Sequence, residues 1–313
     1  MPTPSQRRAV IDVGTNSVKL LVAQVSGRRV DPLLEQSEQT RLGSGFYETR
    51  RLQPAAVART ARAVEVFARK AAEWSAVSIR VIATSAARDA LNQEELLAAI
   101  RAASGLAVEV ISGEQEADWA FRGVGTTLLF LGQPLLIVDV GGGSTEFILG
   151  EGDHQQFRHS FRLCTVRLME RLPHSDPPTT DEWERCRATL TDFLAQQVRL
   201  VVGSELRTFS SRAVQLVGTG GTASVMARIE LGLAGFDRDR IEALRLSREQ
   251  IRRLRERLWS LPLAERKKIA GLPVDRADVI LTGVAIYQVL MELFGLPDLR
   301  VSTRGLRFAA VLE

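Results

Sequence analysis

Cysteine, histidine and lysine are all scarce in this 313-residue chain, and each scarcity removes a class of chemistry. The two cysteines, Cys164 and Cys186, make no metal-binding pattern and fit a reducing compartment. The three histidines, His154, His159 and His174, are not paired at metal-ligand spacing, and they fall in or beside what reads as a polar loop. That count excludes a histidine-rich metallophosphatase centre and most histidine-based acid–base catalysis. Long apolar runs are missing too. The most apolar stretch, 128–140, is interrupted by Gly132, Gln133 and Pro134 and carries Asp139 near its end, so no membrane span is expected. The first residues, MPTPSQRRAVIDVG, hold a basic pair but no apolar run of signal-peptide length, and a cytoplasmic location is the expectation.

The chain is long enough for two ordinary domains. Hydrophobic residues make up 45% and charged residues 25%, a composition that can bury a sizeable core. The net charge is +4, carried by 37 arginines against four lysines. The bias reads first as composition and second as a surface suited to polyanions, because the guanidinium fork matches phosphate oxygens. It does not imply nucleic acid. The most basic segment, 248–257, interleaves arginines with Ile251 and Leu254, as on the solvated face of an amphipathic helix.

Residues 9–13 and 18–25 are apolar and rich in β-branched side chains, and they flank Gly14-Thr15-Asn16-Ser17, which predicts a hairpin. Ser26-Gly27 predicts a turn into a further strand near 28–40. Val57, Val64, Phe67, Ala71 and Trp74 recur at helical spacing. There follow a strand at 79–83, a polar turn Thr84–Arg88, a helix at 93–103 capped by Asn92, a strand at 107–111 and a helix at 114–122. Residues 135–140 and 145–149 flank Gly141-Gly142-Gly143-Ser144 as a second hairpin. Helices are predicted at 181–202, 221–231, 247–259, 277–294 and 304–312, a proline-rich loop at 172–180, and a strand at 214–217. The pattern is α/β.

One internal repeat organises the chain. IDVGTNSVKLLV (11–22) aligns without gaps on VDVGGGSTEFIL (138–149), so Asp12 falls on Asp139, Gly14 on Gly141, Ser17 on Ser144 and Lys19 on Glu146. Two such hairpins at domain-sized separation predict two related lobes, 1–123 and 124–313, facing one another across a central cleft, with the last helix free to pack back on the first lobe.

The repeat also locates chemistry. Asp12 and Asp139 each end an apolar strand, where a carboxylate can hold a hard cation directly or through water. The glycines beyond them let backbone N–H groups approach a phosphate. Thr15, Asn16, Ser17, Ser144 and Thr145 add polar side chains to those donors. Lys19 and Glu146 occupy equivalent positions, a cation in one hairpin and a carboxylate in the other. Three further segments are candidates. Gly218-Thr219-Gly220-Gly221-Thr222 leads from a strand into a helix and offers an anion or nucleotide site. Thr84, Ser85 and Arg88 offer two hydroxyls and a guanidinium. Glu114 and Glu116 open a helix two residues apart and cannot share a face, so one can serve as a base while the other faces solvent.

Taken in order, AVIDVGTNSVKLLVAQV (9–25), VIATSAARDALN (81–92), EVISGEQEADWAFRGV (109–124), LLIVDVGGGSTEFILG (135–150), RLCTVRLME (162–170), LVGTGGTAS (216–224) and VSTRGLRFAAVLE (301–313) resemble the exopolyphosphatase / guanosine pentaphosphate phosphatase (Ppx/GppA) family of the actin-like ATPase superfamily. The resemblance implies a duplicated, ribonuclease H-like α/β fold. It places Glu116 on the catalytic glutamate and Asp139 and Glu146 on acidic positions tied to metal and catalysis. It puts Gly14 to Ser17 and Gly141, Gly142, Gly143, Ser144 and Thr145 on the phosphate-binding turns. Lys19 falls on a commonly basic position, Arg88 on the arginine of the Thr84 turn, and Gly218 to Thr222 on the turn that contacts adenine in related kinases. Gln115, Asp118 and Cys164 depart from the usual glutamate, arginine and glycine. The chain matches the short, two-domain form.

The expected activity is metal-dependent release of terminal phosphate by activated water, with Mg2+ or another divalent cation and no covalent intermediate. Inorganic polyphosphate is the preferred substrate and guanosine pentaphosphate the next. The rivals are an ATP-dependent kinase, for which no acceptor site is visible, and a non-catalytic protein that binds guanosine tetra- or pentaphosphate. No nucleic-acid or membrane partner is expected, and a homodimer is compatible with the family.

Overall fold

The computed structural model describes residues 5–130, 132–208 and 213–313. Residues 1–4, at the head of the segment read for a signal peptide, and residue 131, within the apolar stretch, lie outside the described residues. The chain forms two compact units, 1–128 with 304–313, and 129–303. The sequence placed the division after residue 123. In the structure the helix Gly113–Val124 runs past that point and buries Val124 in the first unit.

The first unit is built on a five-stranded sheet of β1 (Gln6–Val13), β2 (Val18–Ser26), β3 (Arg29–Glu38), β4 (Ser78–Ala83) and β5 (Val108–Val110), in the order β3-β2-β1-β4-β5. β1 pairs antiparallel with β2 and parallel with β4, and β4 pairs parallel with β5. Both faces of the sheet are covered, which is why its strands read as continuous apolar runs. Ile11, Val13 and Leu20 pack with Val64 and Phe67 of the helix Pro54–Glu73 and with Leu96 and Ile100 of the helix Gln93–Ser104. Val10, Leu21 and Ile82 turn the other way, towards Trp119 and towards Leu306 and Phe308 of the last helix, Leu306–Ala310.

The second unit holds β6 (Leu135–Val140), β7 (Thr145–Glu151), β8 (His154–Phe161), β9 (Gln215–Thr219), β10 (Arg245–Ser247) and β11 (Asp298–Val301), in the order β10-β11-β9-β6-β7-β8. The run β8-β7-β6-β9-β11 repeats the order and strand senses of the first sheet, and β10 adds one antiparallel strand. Each unit thus carries the ribonuclease H-like α/β arrangement. Below the second sheet runs the helix Ile280–Leu293, buried on almost every side, whose Tyr287 hydroxyl donates to the Val138 carbonyl at 3.0 Å.

Several local expectations are corrected. The Thr84–Arg88 turn is a one-turn helix, Ser85–Asp89, with no side-chain cap from Thr84. Asn92 does not cap its helix by its side chain; its amide instead bridges the N–H (2.8 Å) and carbonyl (3.0 Å) of Leu52. His154 and His159 lie on β8 rather than in a loop, on an edge strand whose polar side chains hide its periodicity. The helix expected at 181–202 runs as Thr180–Phe193, a π-helical turn Leu194–Val198, and Arg199–Thr208. Gly218 and Thr219 belong to β9. The 248–257 segment is a solvated helix face on which Arg252 and Arg253 pair with Glu249 and Glu256.

Candidate active site

Each unit presents the same hairpin. The Gly14 N–H donates to the Ser17 carbonyl at 3.0 Å, and the Gly141 N–H donates to the Ser144 carbonyl at 3.0 Å. In each, the strand-ending aspartate lies directly across the ladder from the equivalent position of the second strand. Asp12 faces Lys19, and Asp139 faces Glu146. Directly opposed residues on a ladder share a face, so one hairpin joins a carboxylate to an ammonium and the other joins two carboxylates.

In the first unit, parallel strands β1, β4 and β5 end at the same edge. They deliver the Gly14–Ser17 turn, the Thr84–Arg88 segment and Ser112 in adjacent positions. Ser112 caps the helix Gly113–Val124 by accepting from the Gln115 N–H at 3.1 Å. The first turn of that helix splits the two glutamates as their spacing requires: Glu114 is exposed and Glu116 is 8% exposed. Arg88 Nη1 donates to Glu116 Oε2 at 3.3 Å and to the Ile111 carbonyl at 2.9 Å. Arg88, expected as a phosphate-binding guanidinium, is also an ion-pair partner of Glu116.

Asp12 is almost wholly buried, which pushes its pKa up, while Lys19 and Arg307 pull it back down. Arg307 reaches this corner from the last helix, donating to the Leu20 carbonyl at 2.8 Å and to Glu35 at 3.1 Å. Asp12 Oδ1 and Thr15 Oγ1 are buried with no hydrogen-bond partner among the described residues. That is the condition of groups placed for a ligand rather than for the fold.

In the second unit, Thr222 Oγ1 donates to the Val140 carbonyl at 2.8 Å, and the Thr165 N–H and hydroxyl both reach the Gly141 carbonyl, at 3.2 and 3.3 Å. Thr282 in turn donates to the Thr165 carbonyl at 3.0 Å. These bonds occupy the Val140 and Gly141 carbonyls where the strand enters the glycine turn. Glu146 is 1% exposed, and its Oε1 accepts from Ser160 at 2.8 Å. Burial raises the Tyr287 pKa, and the Asp139 charge raises it further.

The Gly218–Thr222 segment lies beside Asp139, since β9 pairs Thr219 with it. Gly220 has φ +80°, and a Cβ there would overlap Asp139 Oδ1. Gly220→Ala is expected to cost about 1–3 kcal/mol through the left-handed backbone and the displaced carboxylate, read by denaturant unfolding, with a parallel loss of activity. The Arg276 guanidinium rests on Gly221, where a Cβ would overlap it, and burial lowers its pKa. Arg276, Thr165, Ser160 and Arg307 went unread in the sequence, because only the tertiary fold brings them to the glycine turns.

Among the described residues no group of three His, Cys, Asp or Glu side chains is placed to hold a metal. Asp139 and Glu146 fit a hard cation nonetheless. Two opposed carboxylates repel unless a cation joins them, and Mg2+ takes one or two carboxylates and completes its shell with water and phosphate oxygens. Asp12 lies across the ladder from Lys19 rather than from a second carboxylate. No described helix is long and apolar enough to cross a membrane.

Comparison with known proteins agrees with this duplicated architecture. The Ppx/GppA phosphatase family model matches residues 21–312. Exopolyphosphatase 2 of Mycobacterium tuberculosis is 35% identical over 310 residues, covering 95% of this chain and 94% of its own. The solved PPX-GPPA enzyme of Aquifex aeolicus superposes with a TM-score of 0.78 at 32% identity, over 99% of each chain. An exopolyphosphatase from Cytophaga hutchinsonii superposes with a TM-score of 0.85 at 28% identity, over 97% of this chain and 96% of its own. With the family model matching residues 21–312 and a relative 35% identical over 95% of the chain, the chain belongs to the Ppx/GppA phosphatase family.

Proposed function

We propose that this protein is a metal-dependent exopolyphosphatase that releases terminal orthophosphate from inorganic polyphosphate. The observation that carries the reading is the asymmetry of two otherwise equivalent hairpins: Asp139 opposite Glu146 in one, Lys19 opposite Asp12 in the other. The first suits a cation and the second an anion. The naming of relatives as exopolyphosphatases supports the same substrate class.

Mg2+ held by Asp139 and Glu146 would neutralise charge on the terminal phosphate oxygens. The N–H groups of the Gly14 turn, the Thr15 hydroxyl and Lys19 would donate to phosphate oxygens. Glu116 accepts a proton from water as the water oxygen bonds to the terminal phosphorus. The bond to the bridging oxygen breaks, and the shortened chain leaves with that oxygen. Arg88 holds Glu116 through Nη1, leaving Nε and Nη2 to meet an anion. The substrate choice follows the relatives named as exopolyphosphatases. A guanosine pentaphosphate 5'-phosphohydrolase is the alternative outcome.

Phosphate release from polyphosphate and from guanosine pentaphosphate, each with Mg2+ and with chelator, decides between them. The expected result is Mg2+-dependent release with higher kcat/KM on polyphosphate. Faster turnover of guanosine pentaphosphate would reassign the substrate. Nucleotide binding without turnover in any metal would make the protein a sensor, and ATP consumption only with a second substrate would make it a kinase.

A further inference from the structure

Three described residues other than glycine have a left-handed backbone: Arg41 (φ 51°), Arg50 (φ 55°) and Ser75 (φ 57°). Two sit where this conformation is ordinary. Arg50 is the C-cap of the helix Phe46–Thr49, and Ser75 follows the C-cap of the helix Pro54–Glu73. Arg41 closes no helix. It lies after β3, and its backbone is fastened to the first phosphate turn: its N–H donates to the Asn16 carbonyl at 3.0 Å. Two residues on, the Gly43 N–H donates to the Thr15 carbonyl at 2.8 Å, and the Gly43 Cα packs on the Thr15 methyl so closely that a Cβ would overlap it. The Arg41 carbonyl accepts from the Ser44 N–H at 3.1 Å, which closes the loop.

The loop 41–44 is thus stitched to the middle of the Gly14–Ser17 turn, with a half-buried arginine beside Asn16. Glycine would adopt this backbone freely and asparagine readily, whereas a long branched-cation side chain gains nothing from it. Backbone geometry therefore does not select arginine here. Strain of this kind gathers where a side chain is held for a ligand, and the turn it adjoins carries Thr15 Oγ1, buried without a partner.

We propose that Arg41 is a substrate-binding residue, its guanidinium taking oxygens of the phosphate chain seated on the Gly14–Ser17 turn. The inference rests on the phosphate-chain reading of the site. Arg41→Gly and Arg41→Asn separate strain from charge, because both suit the backbone and neither offers a guanidinium. Both variants are expected to melt at or above the parent temperature, while KM for polyphosphate rises at least about tenfold and polyphosphate binding weakens to match. Arg41→Lys, which keeps charge but loses the fork, falls between. A purely structural arginine would give the reverse: lower melting temperature in Arg41→Gly with KM unchanged, and that result overturns the proposal. Direct binding of inorganic polyphosphate to parent and variants keeps the two claims apart. If the parent binds the chain without hydrolysing it and the variants bind less, the role of Arg41 stands and the proposed reaction falls. If the parent neither binds nor hydrolyses it, both fall.

Discussion

Glu116→Gln is expected to lower kcat for phosphate release by about 10²–10⁴-fold, the span contributed by a positioned general base, with little change in KM. The substitution is nearly isosteric, and glutamine Oε1 can still accept the Arg88 bond that glutamate Oε2 accepts at 3.3 Å. The fold and the phosphate-binding groups are therefore preserved, and only the capacity to take a proton is lost. The check is steady-state phosphate release beside a thermal melt of the same preparation. A variant that melts with the parent and keeps full kcat removes Glu116 from the chemistry. Arg88→Met tests the neighbouring contact by a different route. It frees Glu116 from its ion pair, so its loss should appear in kcat as well as in KM, whereas removal of a simple phosphate ligand appears mainly in KM.

Asp139→Asn and Glu146→Gln should each lower kcat/KM by about 10²–10³-fold, the loss seen when one electrostatic contact to the developing charge is removed, and should also uncouple stability from Mg2+. A cation that binds only the folded protein raises its melting temperature. The parent is expected to gain from Mg2+ in this way, and each variant to gain less or nothing. Asp12→Asn should leave the Mg2+ response in place, because Asp12 faces Lys19 rather than a second carboxylate. If all three variants responded alike, the division of labour between the hairpins would be wrong.

The hairpins were legible because everything that makes them is local. Apolar β-branched runs flank a glycine turn, and the gapless match of 11–22 on 138–149 reappears as the same ladder register in both units. The spacing of Glu114 and Glu116 likewise foretold one exposed and one buried carboxylate, since a helix decides that by itself. What stayed hidden was nonlocal or short. Arg276 meets Gly221 only through the packing of a turn far along the chain. Thr165 and Thr282 support the Gly141 turn by bonds no spacing announces. β10 and β11 span three and four residues, too few for a period to show. β8 is an edge strand with polar residues on both faces, so its sequence, HQQFRHSF, reads as loop. The loop at Arg41 is invisible for another reason: a positive φ leaves no mark on an arginine in the sequence.

The most direct measurement is a crystal structure of Glu116→Gln protein grown with Mg2+ and a short polyphosphate. The account predicts Mg2+ on Asp139 and Glu146, phosphate oxygens on the Gly14 turn and Lys19, and the residue 116 amide facing water. A metal bound away from Asp139 and Glu146, or a residue 116 side chain remote from the terminal phosphorus, would contradict it.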